Sequence, residues 1–259
     1  HTQSEISDVA KEIVNSGVHD EKDLNALTNL SIKLADASKN DLTTLEAFTT
    51  INEFKNTYRI KAENLPLLTD KLVYGKDQGT AGFHDILEGF KYASPVLSAV
   101  TNGTPDEFLA LNAVLANHGI KGSNLGTALR RFPVQLVPKI NSKFLKNIES
   151  TDGKEVSDII KGMSGGHNNL LNFLGLTPDK ITDDKGKIDL NKALILIKNN
   201  LEKYSITEQT GLIKQLFGQE AISAGITLKE FLNDYFEKLN KIKNESLGKA
   251  DELSDSTRN

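Results

Sequence analysis

Apolar residues return every three or four positions along most of this chain, the spacing of one face of an α-helix. Ile6, Val9 and Ile13 form a stripe that stops at Gly17, Leu24, Leu27, Leu30 and Leu34 form a second, and Phe48, Ile51, Phe54 and Tyr58 form a third. Asn64-Leu65-Pro66 breaks the pattern and restarts it as a helix to about Tyr74, since proline suits the first helical turn. Phe83, Ile86, Leu87 and Phe90 carry the next stripe, and Ser94-Pro95 reads as the start of a further short helix. Nearer the C-terminus, Asp189 is placed to cap a stripe of Ala193, Leu194, Ile197 and Leu201, and Thr207 to open a helix that ends at Phe217-Gly218. Thr227-Leu228-Lys229-Glu230 has the form of a capping box opening a long helix with Phe231, Leu232, Tyr235, Leu239 and Ile242 on its stripe.

The best-signalled pair of helices lies between Gly103 and Phe132. Thr104 is a good N-cap, Pro105 takes the first helical position, and Glu107 can close a capping box, with Phe108, Leu111 and Leu115 following at helical spacing. Gly119 can take the left-handed conformation that ends this helix, and a second starts near Asn124 with Leu125, Leu129 and Phe132 on one face and Pro133 ending or kinking it. The segment from Gly119 through Gly122 to Ser123 is then a tight elbow, and Gly126 leaves room for close backbone approach.

Glycines at 153, 162, 165, 166 and 175 punctuate a less regular middle of short helices and turns. Lys180 to Asp189 is the one good hairpin candidate, with Ile181 and Ile188 flanking a polar glycine turn. Residues beyond Gly248 are small and polar, the composition of a disordered tail. The pattern predicts a mostly α, multi-helix globular domain with at most one small β-hairpin: helices of 1–60 packed on a core of 61–247 that includes the hairpin at about 180–189, then a disordered 248–259.

Composition narrows the chemistry. With no cysteine among 259 residues, disulfides, zinc–thiolate sites and thiol catalysis are excluded. A net charge of −4 argues against a dedicated nucleic-acid binder, which carries a basic face. The apolar run from Ala193 to Ile197 is far too short to span a bilayer. The chain opens on His1 without a basic-then-apolar leader, which reads as a piece excised from a longer chain or a tag remnant joined to a domain.

Each candidate site loses to a plainer reading. If Gly186 of the Asp183–Asp189 stretch is aligned with the glycine of a calcium loop, Lys185 and Lys192 fall where oxygen ligands belong, so a turn is the better assignment. His19, His84, His118 and His167 are scattered, with no paired zinc-binding spacing. The glycines around Ser123 lack the lysine of a phosphate-binding loop and follow a helix rather than a strand. Arg130-Arg131 can meet a phosphate or a carboxylate, but a solvated helix face or an internal ion pair is the simpler account. There is no Gly-x-Ser-x-Gly elbow. No catalytic residue, cofactor site or metal site is assigned.

The block Gly119-Ile120-Lys121-Gly122-Ser123-Asn124-Leu125-Gly126-Thr127-Ala128-Leu129-Arg130, following a capped helix, resembles the signature of the phage tail tape-measure (phage minor tail protein) family. Leu68 to Leu72, Ile86 to Val96, Phe173 to Leu176, Asp184 to Asp189 and Leu216 to Ala221 resemble further blocks in the family's order, spanning about 65–225. The resemblance assigns structural signature roles to Gly119, Gly122, Gly126, Thr127, Leu129, Arg130, Phe217 and Gly218. It implies a non-enzymatic component of a phage or prophage tail that governs tail length and assembly and leaves the tube ahead of DNA at infection. The implied location is the interior of the tail tube in the virion, and the host cytoplasm during assembly. Implied partners are tail tube and tail assembly chaperone proteins and other copies of the chain, with no specific nucleic acid.

Other classes stay open on residues alone. A helical ligand-binding module or enzyme would show a buried polar pocket with converging titratable groups, and a pore-forming effector would carry a long apolar hairpin. The stripe from Phe231 to Ile242 is equally a self-association face or the last piece of a monomer core.

Overall fold

A computed structural model describes residues 2–39, 41–136, 171 and 174–258. The described residues form thirteen α-helices and two short 3-10 turns, with isolated bridges but no strand. The fold is all-α and multi-helical.

The chain divides into two compact units, and not at the boundaries that composition suggests. One comprises His1–Leu87, Pro105–Ala113 and Phe236–Asn259; the other comprises Glu88–Thr104 and Val114–Tyr235.

In the first unit, α1 (Gln3–Asn15), α2 (Glu21–Ala37) and α3 (Thr44–Tyr58) pack on one another, with α4 (Leu65–Asp77) against α2 and α3. Thr2 and Thr43 close reciprocal capping boxes with Glu5 and Glu46 at the starts of α1 and α3. Gly17, at φ +94°, ends α1, while α3 ends at Arg59 in the left-handed region, at φ +53°. The core is Ile13, Leu34, Ile51, Phe54 and Leu72, each essentially without solvent exposure. Phe54 meets Phe108 edge-on at 5.7 Å.

Glycines notch the next crossing. A Cβ at Gly75 would lie 2.9 Å from Leu109 side-chain atoms, and one at Gly79 would lie 2.6 Å from the Ala113 Cα. Only glycine, at Gly75 on α4 and at Gly79 just past its end, lets α6 (Pro105–Asn117) approach this closely.

The C-terminus departs from the expected disorder. Residues Lys249–Arg258 form a helix, here α13, that packs on α2 and α4. The buried Asp70 carboxylate on α4 accepts the N–H of Gly248 at 2.9 Å and of Ala250 at 3.0 Å. It thereby caps α13 from 178 residues away in sequence. Lys33 pairs with Asp251, Ser254 donates to Asp36 at 3.3 Å, and Ala250 is fully buried. Composition alone signalled disorder because the groups that order this helix lie on α2 and α4.

In the second unit, the expected break at Ser94-Pro95 is absent, and α5 runs unbroken over Phe83–Val100. Pro95 forfeits one backbone hydrogen bond, but buried Phe90, Ala93, Val96, Leu97 and Val100 continue the stripe through it. Likewise α7 (Gly122–Gln135) passes through Pro133 for two more residues before it ends.

Beyond the undescribed segment come α8 (Pro178–Ile181), α9 (Leu190–Leu201), α10 (Ile206–Phe217), α11 (Ile222–Glu230) and α12 (Leu232–Glu245). The helix expected to open at Thr207 begins earlier, because Ser205 and Glu208 form the capping box of α10. Thr227 opens nothing: it is buried inside α11, and the backbone breaks at Phe231 before α12 starts. Leu232, Tyr235, Leu239 and Ile242 on α12 are buried, so this stripe serves the interior of the folded chain.

Where a hairpin was expected, the chain forms α8 and then a tight loop with a single antiparallel bridge between Thr182 and Ile188. Ile188 donates its N–H to Val100 O at 2.9 Å and accepts from Asn102 N at 3.1 Å. Lys187 Nζ donates to Ser98 O at 2.5 Å. These bonds lay the loop against the C-terminal end of α5, and the ladder stops at one rung because Lys180 already belongs to the helix before the loop and Leu190 to the helix after it.

Candidate functional site

The elbow between α6 and α7 follows from its glycines. Gly119, at φ +81°, lets Ile120 N donate to Leu115 O and Gly119 N to Ala116 O, both at 3.0 Å, the paired bonds of a Schellman helix end. Gly122, at φ +53°, opens α7. A side chain at either position would strain the backbone.

Gly126 sits where α7 crosses α5. A Cβ there would lie 2.5 Å from both Gly89 O and the Tyr92 Cβ. From the other side, a Cβ at Gly89 would lie 3.0 Å from Leu125 Cδ2 and 3.1 Å from Gly122 O. The two backbones meet almost directly, with Leu125 and Leu129 buried on α7. Gly89 was absent from the sequence-assigned set, and its only local sign was glycine interrupting a helical stripe.

Further along α7, Phe132 stacks on Phe217 of α10 with ring centroids 4.2 Å apart and planes 1° from parallel. Gly218 ends α10 at φ +80°, and the Arg131 guanidinium passes close above it. Gly225 on α11 meets Ile213 and Phe217, against which a Cβ would come to 2.6 Å. The structure therefore gathers Gly122, Gly126, Leu129, Phe217 and Gly218 into helix contacts and chain reversals. Gly119 shapes the elbow, while Thr127 and Arg130 remain part-exposed on α7. The Arg130 Nε is buried without a hydrogen-bond partner among the described residues.

A polar cluster missed at the sequence level lies at the start of α6. Lys71 Nζ reaches both carboxylate oxygens of Asp106 at 2.9 Å, with both side chains largely buried. Burial first, then the charges of Glu107 and Asp106, push the Tyr58 phenol far above its ordinary range, so it stays protonated. This arrangement ties α3, α4 and α6 together.

The Asp183 loop uses its carboxylate internally: Oδ1 accepts from Lys185 N and Lys187 N, both at 2.9 Å. Asp189 accepts from Lys192 N at 3.0 Å as the cap of α9. His19 is exposed, His84 lies 4.0 Å from Asp41, and His118 Nδ1 donates to Val114 O at 2.8 Å while its ring lies tilted against Phe231 with centroids 3.9 Å apart. His167 lies outside the described residues. Among the described residues, no three His, Cys, Asp or Glu side chains are arranged to hold a metal.

A concavity of ligand-pocket size lies in the first unit. A half-open groove of about 540 Å³ runs along α2, floored by Leu27, Leu30 and Leu65 and edged by Lys22, Lys33 and Lys55. No helix among the described residues is long and apolar enough to cross a membrane.

Neither a curated protein nor a solved structure matches the chain. The model of one protein family does, over residues 1–218, a stretch that includes the α5–α7 crossing and ends on Gly218. On that match, covering most of its length, this chain belongs to the phage-related minor tail proteins.

Proposed function

We propose that this chain is a structural domain of a tail tape-measure protein, the part of a phage or prophage tail that governs its length and leaves the tube ahead of DNA. The observation that carries this reading is the use made of the family-like residues. Gly122, Gly126, Leu129 and Phe217 lie at helix crossings or in the core, where they fix a scaffold rather than face a substrate. Tail tube proteins, a tail assembly chaperone and other copies of the chain are the corresponding partners. The site of action is the tail tube interior, reached from the host cytoplasm during assembly.

Duplicating this domain in frame within the parent phage gene tests the reading. Electron microscopy should show tails lengthened in proportion to the added chain. Normal tails that contain the longer protein would overturn the tape-measure role and leave a minor tail component of another kind.

The groove along α2 favours a second reading, a ligand-binding module. Its floor is aliphatic and its polar edge is lysine, aspartate, glutamate and asparagine, which suits binding better than covalent chemistry.

A further inference from the structure

The C-terminal helix α13 is fastened differently from every other long helix of the first unit. Among its described side chains Ala250 and Ser254 are the buried ones, while Asp251, Glu252, Asp255, Ser256 and Thr257 are exposed. What holds it is polar: the Asp70 carboxylate on its first N–H groups, the Lys33–Asp251 pair and the Ser254–Asp36 bond. It joins α12 through Ser246, Leu247 and Gly248. In that elbow Leu247 is 79% exposed and Gly248 sits at φ +80°, so the turn is a conformation only glycine adopts freely.

The pattern of buried positions does not stop at the turn. Leu239, Ile242 and Ser246 before it and Ala250 after it are all buried, spaced by three or four residues. Half-buried Leu253 follows three residues later. This is the spacing of a single helix, and only the elbow interrupts it.

We propose that α13 is an exchangeable strap: the elbow straightens, α12 and α13 run on as one helix, and the vacated face of α2 and α4 receives α13 of a second copy. The occupant is fixed by the face itself. Asp70, Lys33 and Asp36 present the acceptors and the cation that α13 already satisfies within one chain, and a second copy restores the same bonds. Exchange of an identical element conserves these contacts and needs no new surface for docking. The strap deepens the self-association named under the proposed function. Tail length would still follow domain duplication if exchange failed.

The absence of native cysteine makes the test direct. Asp36→Cys and Ser254→Cys are made in separate full-length chains, mixed at high concentration and treated with a short bifunctional thiol reagent. A cross-linked heterodimer is expected, told apart by mass from either homodimer. The double variant should cross-link within one chain at low concentration. Gly248→Ala should raise the heterodimer yield roughly tenfold, because alanine disfavours the left-handed turn and favours the straight helix. Cross-linking within the double variant, but no heterodimer even with Gly248→Ala, would overturn exchange. Failure of the double variant to cross-link would overturn the docked strap itself. Lys33→Cys with Asp251→Cys repeats the experiment if Asp36→Cys does not fold.

Discussion

Gly126 and Asp70 each fasten one helix to another, by opposite means. At Gly126 the side chain is missing, so α7 and α5 touch backbone to backbone inside an apolar core. At Asp70 a buried charge is present, and α13 is held by two N–H bonds to one carboxylate, with Ala250 as its buried apolar residue. The first attachment depends on shape and has no intermediate setting, since any Cβ forces the helices apart. The second depends on a few charge-assisted bonds, which water can replace when the helix lifts away. The contrast predicts that the α7 crossing unfolds with the cooperative core and that α13 opens on its own.

The largest effect is expected from Leu129→Ala in the core beside the crossing. Removing this buried side chain should destabilise the fold by about 2–5 kcal/mol in urea denaturation. A loss below about 0.5 kcal/mol would show that its face of α7 can rearrange without consequence.

Gly126→Ala should follow at about 1–3 kcal/mol, the usual range for overpacking. Its added methyl would meet Gly89 O and Tyr92 Cβ at 2.5 Å, inside any tolerable contact. Gly17→Ala, where a Cβ would meet nothing within 4 Å, separates crowding from backbone strain, because only the strain of φ +94° remains there.

A smaller effect is expected at the start of α10. The Ser205 hydroxyl, then its backbone N–H, hold the Glu208 carboxyl below its ordinary range, so folding favours the ionised form. That stabilisation is complete above the ordinary carboxylate range and is lost as pH falls through the lowered value. Wild type should melt above Glu208→Gln at neutral pH, and the two should converge on acidification. A constant gap would assign the difference to something other than this titration.

No shift at all is expected from calcium. The Asp183 carboxylate already accepts two backbone N–H groups, whereas a ligand at 100 times its dissociation constant would add about 2.7 kcal/mol. A saturable rise in melting temperature would restore the cation-site reading of that loop.

What could be read in the sequence follows the same division. The stripes of α1 to α4, the elbow at Gly119 and the end of α10 at Gly218 are set by neighbours within one or two turns, so local pattern reveals them. Proline misled at 95, because the buried stripe on both sides outweighed one lost bond, whereas α7 does end within two residues of Pro133. Thr227 misled because its box lay inside α11, where burial and the α10 contact prevailed. The α13 helix was illegible, since its cap is a residue 178 positions earlier and its own composition is that of a tail. Similarly, Gly126 signalled a close approach, but nothing near it named Gly89 as the other side.

Hydrogen exchange of the full-length Asp70→Ala chain, read amide by amide, tests this division most directly. Amides of residues 250–258 should lose protection while those of 125–135 in α7 keep it, because only the strap has lost its anchor. Protection retained in α13, or lost equally in both helices, would contradict it.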